Sequence, residues 1–63
     1  MILCFINIDG KEVDHAELVG IPSHGDIITT KLGNEYCVNN VIFKEDSEEI
    51  TANVQRLNRQ FFN

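Results

Sequence analysis

Turn signals break this chain before any regular segment can grow long. Asp9-Gly10, the loop Gly20-Ile21-Pro22-Ser23-His24-Gly25-Asp26, the pair Gly33-Asn34 and the acidic run at residues 45–49 leave no more than ten residues between neighbours. Between them apolar residues recur at every second position or crowd together as β-branched and aromatic side chains. That is the pattern of short strands, because a helix needs a longer segment and a period of 3.6. The whole chain has 63 residues, room for one domain with a small core. An all-β single domain spanning residues 1–63 is the fold class these features predict.

Five strands are expected. The first covers residues 2–8 and turns at Asp9-Gly10, a strong two-residue hairpin signal. Residues 11–19 form a polar returning arm. Its outward Lys, Glu and Asp suit an edge strand, while a short helical turn over 14–19, capped by Asp14, is the competing reading. After the loop, in which Pro22 fixes φ and Gly25 tolerates positive φ, residues 26–32 read as a third strand. Gly33-Asn34 then turns into a fourth strand over 35–44.

Spacing within that fourth strand is informative. Tyr36 and Val38 share one parity and Val41 and Phe43 the other, so an extra residue at Asn39-Asn40, a β-bulge, is needed to bring all four to one face. A bulge lets a short sheet bend sharply. Beyond the acidic tip, Ile50, Ala52 and Val54 alternate with polar residues as one buried face of a fifth strand. A meander of five short strands resolves its free edges by closing, so an SH3-like barrel is expected, with an OB-like one as the alternative and a short C-terminal tail beyond.

Charge narrows the partners. Ten acidic residues outweigh five basic ones, for a net charge of −5. A polyanion binder gathers Lys and Arg to release counterions. Here Lys11, Lys31, Lys44, Arg56 and Arg59 are scattered, which argues against double-stranded nucleic acid and anionic membranes. The acidic tip Glu45, Asp46, Glu48 and Glu49 could meet a basic protein partner, although solubility alone accounts for such a balance. The apolar start at residues 1–8 lacks the basic region and cleavage site of a secretory signal, and no run spans a bilayer. A cytoplasmic setting is expected, with Cys4 and Cys37 reduced.

No chemistry-bearing constellation stands out. Ser23, His24 and Asp26 adjoin one another at a loop-to-strand junction, but sequence neighbours on an extended loop seldom meet the geometry of an activated nucleophile. Cys4, His15, His24 and Cys37 match no zinc spacing, and the acidic tip lacks the spacing of a calcium loop. The tip also lacks the enclosure that acid–base work needs. Tyr36 and Phe43, the aromatics on which a single strand of nucleic acid could stack, are expected to face inward. No enzymatic activity, cofactor or metal is expected.

The stretch Pro22-Ser23-His24-Gly25-Asp26-Ile27-Ile28, followed by Tyr36-Cys37-Val38-Asn39-Asn40-Val41, resembles a set of small bacterial and phage proteins with the pattern P-x-x-G-D-x-I … Y-x-V-x-x-V. The resemblance covers residues 22–54. It implies a small β-barrel and a phage or mobile-element origin, and assigns no catalytic or ligand-binding residue.

Recognition without chemistry remains. The leading expectation is a protein-binding module, a phage-encoded regulator or inhibitor of a host protein, contacting it through the acidic tip and an open barrel edge. A homo-oligomer that sequesters a small nucleotide signal is the alternative, with Ser23, His24, Arg56 and Arg59 as contacts, since Arg recognises phosphate bidentately. A structural subunit of a viral assembly is the third reading. For both oligomeric forms, Phe61 and Phe62 are the candidate self-association residues, adjacent in sequence and unable to face one core together.

Overall fold

The computed structural model describes residues 1–57. Arg59, Phe61 and Phe62, and with them the expected self-association contact, lie outside the described residues. Five strands form one strongly curled, half-barrel sheet: β1 (Ile2–Ile8), β2 (Lys11–Leu18), β3 (Ile27–Thr29), β4 (Glu35–Phe43) and β5 (Glu49–Arg56). Among the described residues there is no helix.

Sheet order is β2-β1-β5-β4-β3. Written as a ring this is a meander, 1-2-3-4-5 and back to 1, with the ring left open between β2 and β3. In an up-and-down ring of five strands the first and fifth run the same way. The closing pair must therefore be parallel, and β1 does pair with β5 in parallel, Cys4 opposite Ile50 and Ile6 opposite Ala52. The other pairings are antiparallel.

Local chemistry sets the turns. Asp9 and Gly10 both have positive φ, 52° and 78°, as a two-residue turn between right-twisted strands requires. Residues 11–19 form a strand, not a helical turn, because β1 offers a full ladder of partners from Leu18 to Lys11. β3 is shorter than the sequence suggests. Thr30 N–H donates to the Asn34 carbonyl (2.9 Å), Gly33 N–H to the Thr30 carbonyl (2.9 Å) and Asn34 N–H to Thr30 Oγ1 (3.3 Å), which closes the turn and ends the sheet pairing at Thr29.

The expected bulge is present. Val38 opposes Val54 and Asn40 opposes Asn53, leaving Asn39 as the extra residue. Val41 is thereby returned to the inner face and packs on the core. Phe43 shares that parity but is 58% exposed, because it stands at the hairpin end of β4, past the enclosed part of the sheet. A second bulge at Val13 lies in the β1–β2 ladder, with Ile6 opposite Asp14 and Asn7 opposite Glu12. Asp14, on the near side of this bulge, keeps the inward parity of Ala16 and Leu18, whereas the sequence reading had it outward.

The core is one layer inside the curl: Cys4 and Ile6 of β1, Ile28 of β3, Tyr36 and Val38 of β4, and Ile50, Ala52 and Val54 of β5. Ile2, Ile8, Ala16, Leu18 and Val41 flank it. Curvature is visible in a single bond. β2 and β4 are three strand spacings apart in the sheet, about 14 Å if it were flat, yet the Tyr36 hydroxyl donates to Asp14 Oδ2 at 2.9 Å.

Candidate functional site

β2 and β3 are the two ends of the sheet, so among the described residues the gap between them carries two free strand edges. Alternation along each strand identifies the backbone groups that face it. On β3, the Asp26 carbonyl accepts from Val38 N–H (2.8 Å) and Thr30 N–H donates to Asn34. Asp26, Ile28 and Thr30 therefore point toward β4, and the N–H and C=O of Ile27 and Thr29 point into the gap. On β1, Leu3 N–H donates to the Glu48 carbonyl (3.2 Å), which directs odd residues to β5 and even ones to β2. Their partners Leu18, Ala16 and Asp14 are thus engaged, and the backbones of His15 and Glu17 face the gap.

Side chains make the gap sticky. Two cavities run along it. One, of about 410 Å³, is lined by Leu18, Val19, Ile21, Pro22, Ile27 and Ile28 among others. The second, of about 340 Å³, lies between Met1, Asp14, Glu17, Thr29, Lys31 and Leu32. Of the eight strongly exposed large apolar side chains among the described residues, Met1, Val19, Ile21, Ile27 and Leu32 line these cavities. Val19 is 96% exposed and Leu32 88%. Scattered apolar residues are ordinary on a surface, but these stand in two groups, Val19 with Ile21 and Ile27, and Met1 with Leu32, beside an edge that is unpaired among the described residues.

Asp14 spans the gap's inner end. Its Oδ1 accepts from His15 N–H (2.9 Å), occupying one edge donor. Its Oδ2 takes the Tyr36 hydroxyl and, at 3.4 Å, Asn34 Nδ2. The His15 N–H, and next the Tyr36 hydroxyl, hold the Asp14 carboxyl below the ordinary carboxylate range. Burial, then the bond to Asp14, pushes the Tyr36 phenol up. Arg56 lies over the Tyr36 ring, 5.5 Å from its centre, a cation–π contact.

The residues singled out by sequence fall in separate places. Ser23 and His24 belong to a loop fastened to the β4 bulge. Ser23 N–H donates to Asp26 Oδ2 (2.7 Å), Gly25 N–H to the Val38 carbonyl (2.8 Å), and His24 Nδ1 to the Asn39 carbonyl (2.8 Å). A carbonyl only accepts, so His24 carries its proton on Nδ1. Glu45, Asp46, Glu48 and Glu49 are exposed at the β4–β5 hairpin end. Arg56 sits at the other end of β5, roughly 23 Å along the strand. Cys4 faces the core from β1 and its thiol pKa is raised by burial. Cys37 lies on the opposite face of β4, with β5 between them, and both thiols are free. Among the described residues no three His, Cys, Asp or Glu side chains are grouped to hold a metal ion, and no helix is long and apolar enough to cross a membrane.

Sequence reading missed Val19, Ile21, Ile27 and Leu32 as site residues. The one signal was their apolar character inside or beside predicted loops, which without the strand order resembles ordinary surface. No family model matches the chain, nor does any curated protein or solved structure.

Proposed function

We propose that this chain is a non-enzymatic protein-binding module that takes an extended segment of its partner at the open gap between β2 and β3. One observation carries the reading: backbone groups of Ile27 and Thr29 that have no strand partner among the described residues lie beside exposed Val19, Ile21 and Leu32. Strand addition uses such a combination, main-chain bonds for affinity and side-chain pockets for selectivity. The acidic tip, expected from sequence to share the contact, is outside the gap and serves at most as a secondary surface. A phage- or mobile-element-encoded regulator acting on a host protein is the form of this reading that the resemblance over residues 22–54 favours.

Comparative capture from bacterial lysate tests it. The native chain and an Ile42→Lys control, altered on the outer face away from the gap, should retain the same protein. The Val19→Lys/Ile27→Lys double variant should lose it. Equal retention by all three, or none above background, overturns the proposal.

A further inference from the structure

We infer that the segment bound at this gap is a cationic strand with alternating apolar residues, paired to the β3 edge; this rests on the protein-binding reading above. The two walls of the gap are chemically unlike. β2 is defended as an edge: Asp14 already takes the His15 N–H, and Lys11, Glu12 and Glu17 place charge along it, as edge strands do to refuse partners. β3 carries no charge over Ile27–Thr29, and among the described residues its outward backbone groups have no such cover. An incoming strand therefore finds its hydrogen bonds on β3 and its electrostatic field from β2.

The sign of that field is set by the lining residues. In the two cavities the three carboxylates of Asp14, Glu17 and Asp26 outnumber the two cations, Lys31 and the amino group of Met1. Asp14 and Glu17 stand on β2 and line the second cavity, and Asp26, in the loop before β3, lines the first, so each cavity carries negative charge. His15 also lines the second cavity. An acidic strand would meet like charge on top of a net charge of −5. A cationic alternating strand can turn its apolar side chains to the patch of Val19, Ile21 and Ile27, while its long cationic side chains reach the carboxylates. These stand on both faces, Asp14 on the inner parity of β2 and Glu17 on the outer.

Backbone amide mapping by NMR on the full chain tests this with three capped hexapeptides. The probes are Lys-Val-Lys-Val-Lys-Val, its Glu-Val counterpart, and the Lys-Val peptide N-methylated at its four central amides. The Lys-Val peptide should shift the amides of Glu17, Val19, Ile27 and Thr29. The Glu-Val peptide should bind about tenfold more weakly, from up to three exposed charge pairs. The N-methylated peptide should lose about tenfold or more, since it forfeits main-chain bonds. Glu17→Lys should narrow the gap between the two charged peptides.

Equal binding of all three peptides at these amides overturns the cationic-strand inference and leaves the protein-binding reading standing. Shifts confined to residues outside the gap overturn both. If the Ile27 and Thr29 amides are already protected from exchange without peptide, or their shifts depend on protein concentration, the edge is occupied by the chain's own tail or by a second copy. The inference then fails.

Discussion

Deleting Asn39 separates two jobs that one residue performs. In the β4–β5 ladder Asn39 is the unpaired residue between Val38 and Asn40. Without it, Tyr36, Val38, Val41 and Phe43 still fall on one parity, so the inner face survives. What is lost is the His24 bond to the Asn39 carbonyl, roughly 0.5–1.5 kcal/mol, and the local bend that bulges impose. Deleting Cys37 instead removes a paired residue and forces Tyr36 or Val38 out of the core. Each is essentially inaccessible, at 1% and 0% exposure, so that costs at least about 1.5–3 kcal/mol. A core this small supplies about 3–5 kcal/mol in total. Urea unfolding followed by far-UV circular dichroism should place the Asn39 deletion about 1 kcal/mol below the native chain. The Cys37 deletion should be barely folded or unfolded. The bend has its own readout, since a flatter sheet pulls Asp14 from Tyr36 and lets the phenol titrate closer to its ordinary value. Equal losses for the two deletions would refute the claim that alternation, with the bulge as its single exception, positions the inner face.

Stability should fall on both sides of a pH plateau. Asp14's folded value is lowered, so its contribution is present above its unfolded value and is lost as pH falls through the folded one. Tyr36's is raised, so its contribution is present below its unfolded value and is lost as pH rises through the folded one. Asp14→Asn should flatten the acid limb and Tyr36→Phe the alkaline limb. Phenolate absorbance isolates the latter in the native chain, which has one tyrosine and no tryptophan; an unshifted titration would refute the Asp14–Tyr36 bond. Gly25 has φ +90° with open space around it, so Gly25→Ala should cost about 1–2 kcal/mol from backbone strain alone. Gly20→Ala, at a position without positive φ, should stay within about 0.5 kcal/mol in the same denaturation assay.

Much of the strand content was legible because it is written in neighbours. Asp9-Gly10 needs only its own two φ angles to make a hairpin, and the parity break between Val38 and Val41 demands an extra residue whatever the rest of the chain does. The second bulge had no such signature. Val13 and Asp14 sit in a polar segment where alternation carries little information, and only pairing with Ile6 and Asn7 shows which residue is extra. Asp14 shares the alternation of Ala16 and Leu18, but as a carboxylate in a polar arm it read as an outward edge charge, because its inward partner, the Tyr36 hydroxyl, comes from a strand three spacings away. The candidate site was harder still. An open barrel edge was foreseeable from the strand count, but not which edge.

The sequence alone, then, determined an all-β chain, its turns, the bulge at Asn39 and the apolar set on β4 and β5, since these depend on backbone conformation and period-two alternation within a few residues. Tertiary structure alone decided that the ring opens between β2 and β3, that Val19, Ile21, Ile27 and Leu32 gather there, and that Asn7, Asn53 and Asn40 share one row across three strands. Those outcomes depend on register and curvature. Both are set by the summed packing of strands distant in sequence, so no short stretch of residues encodes them.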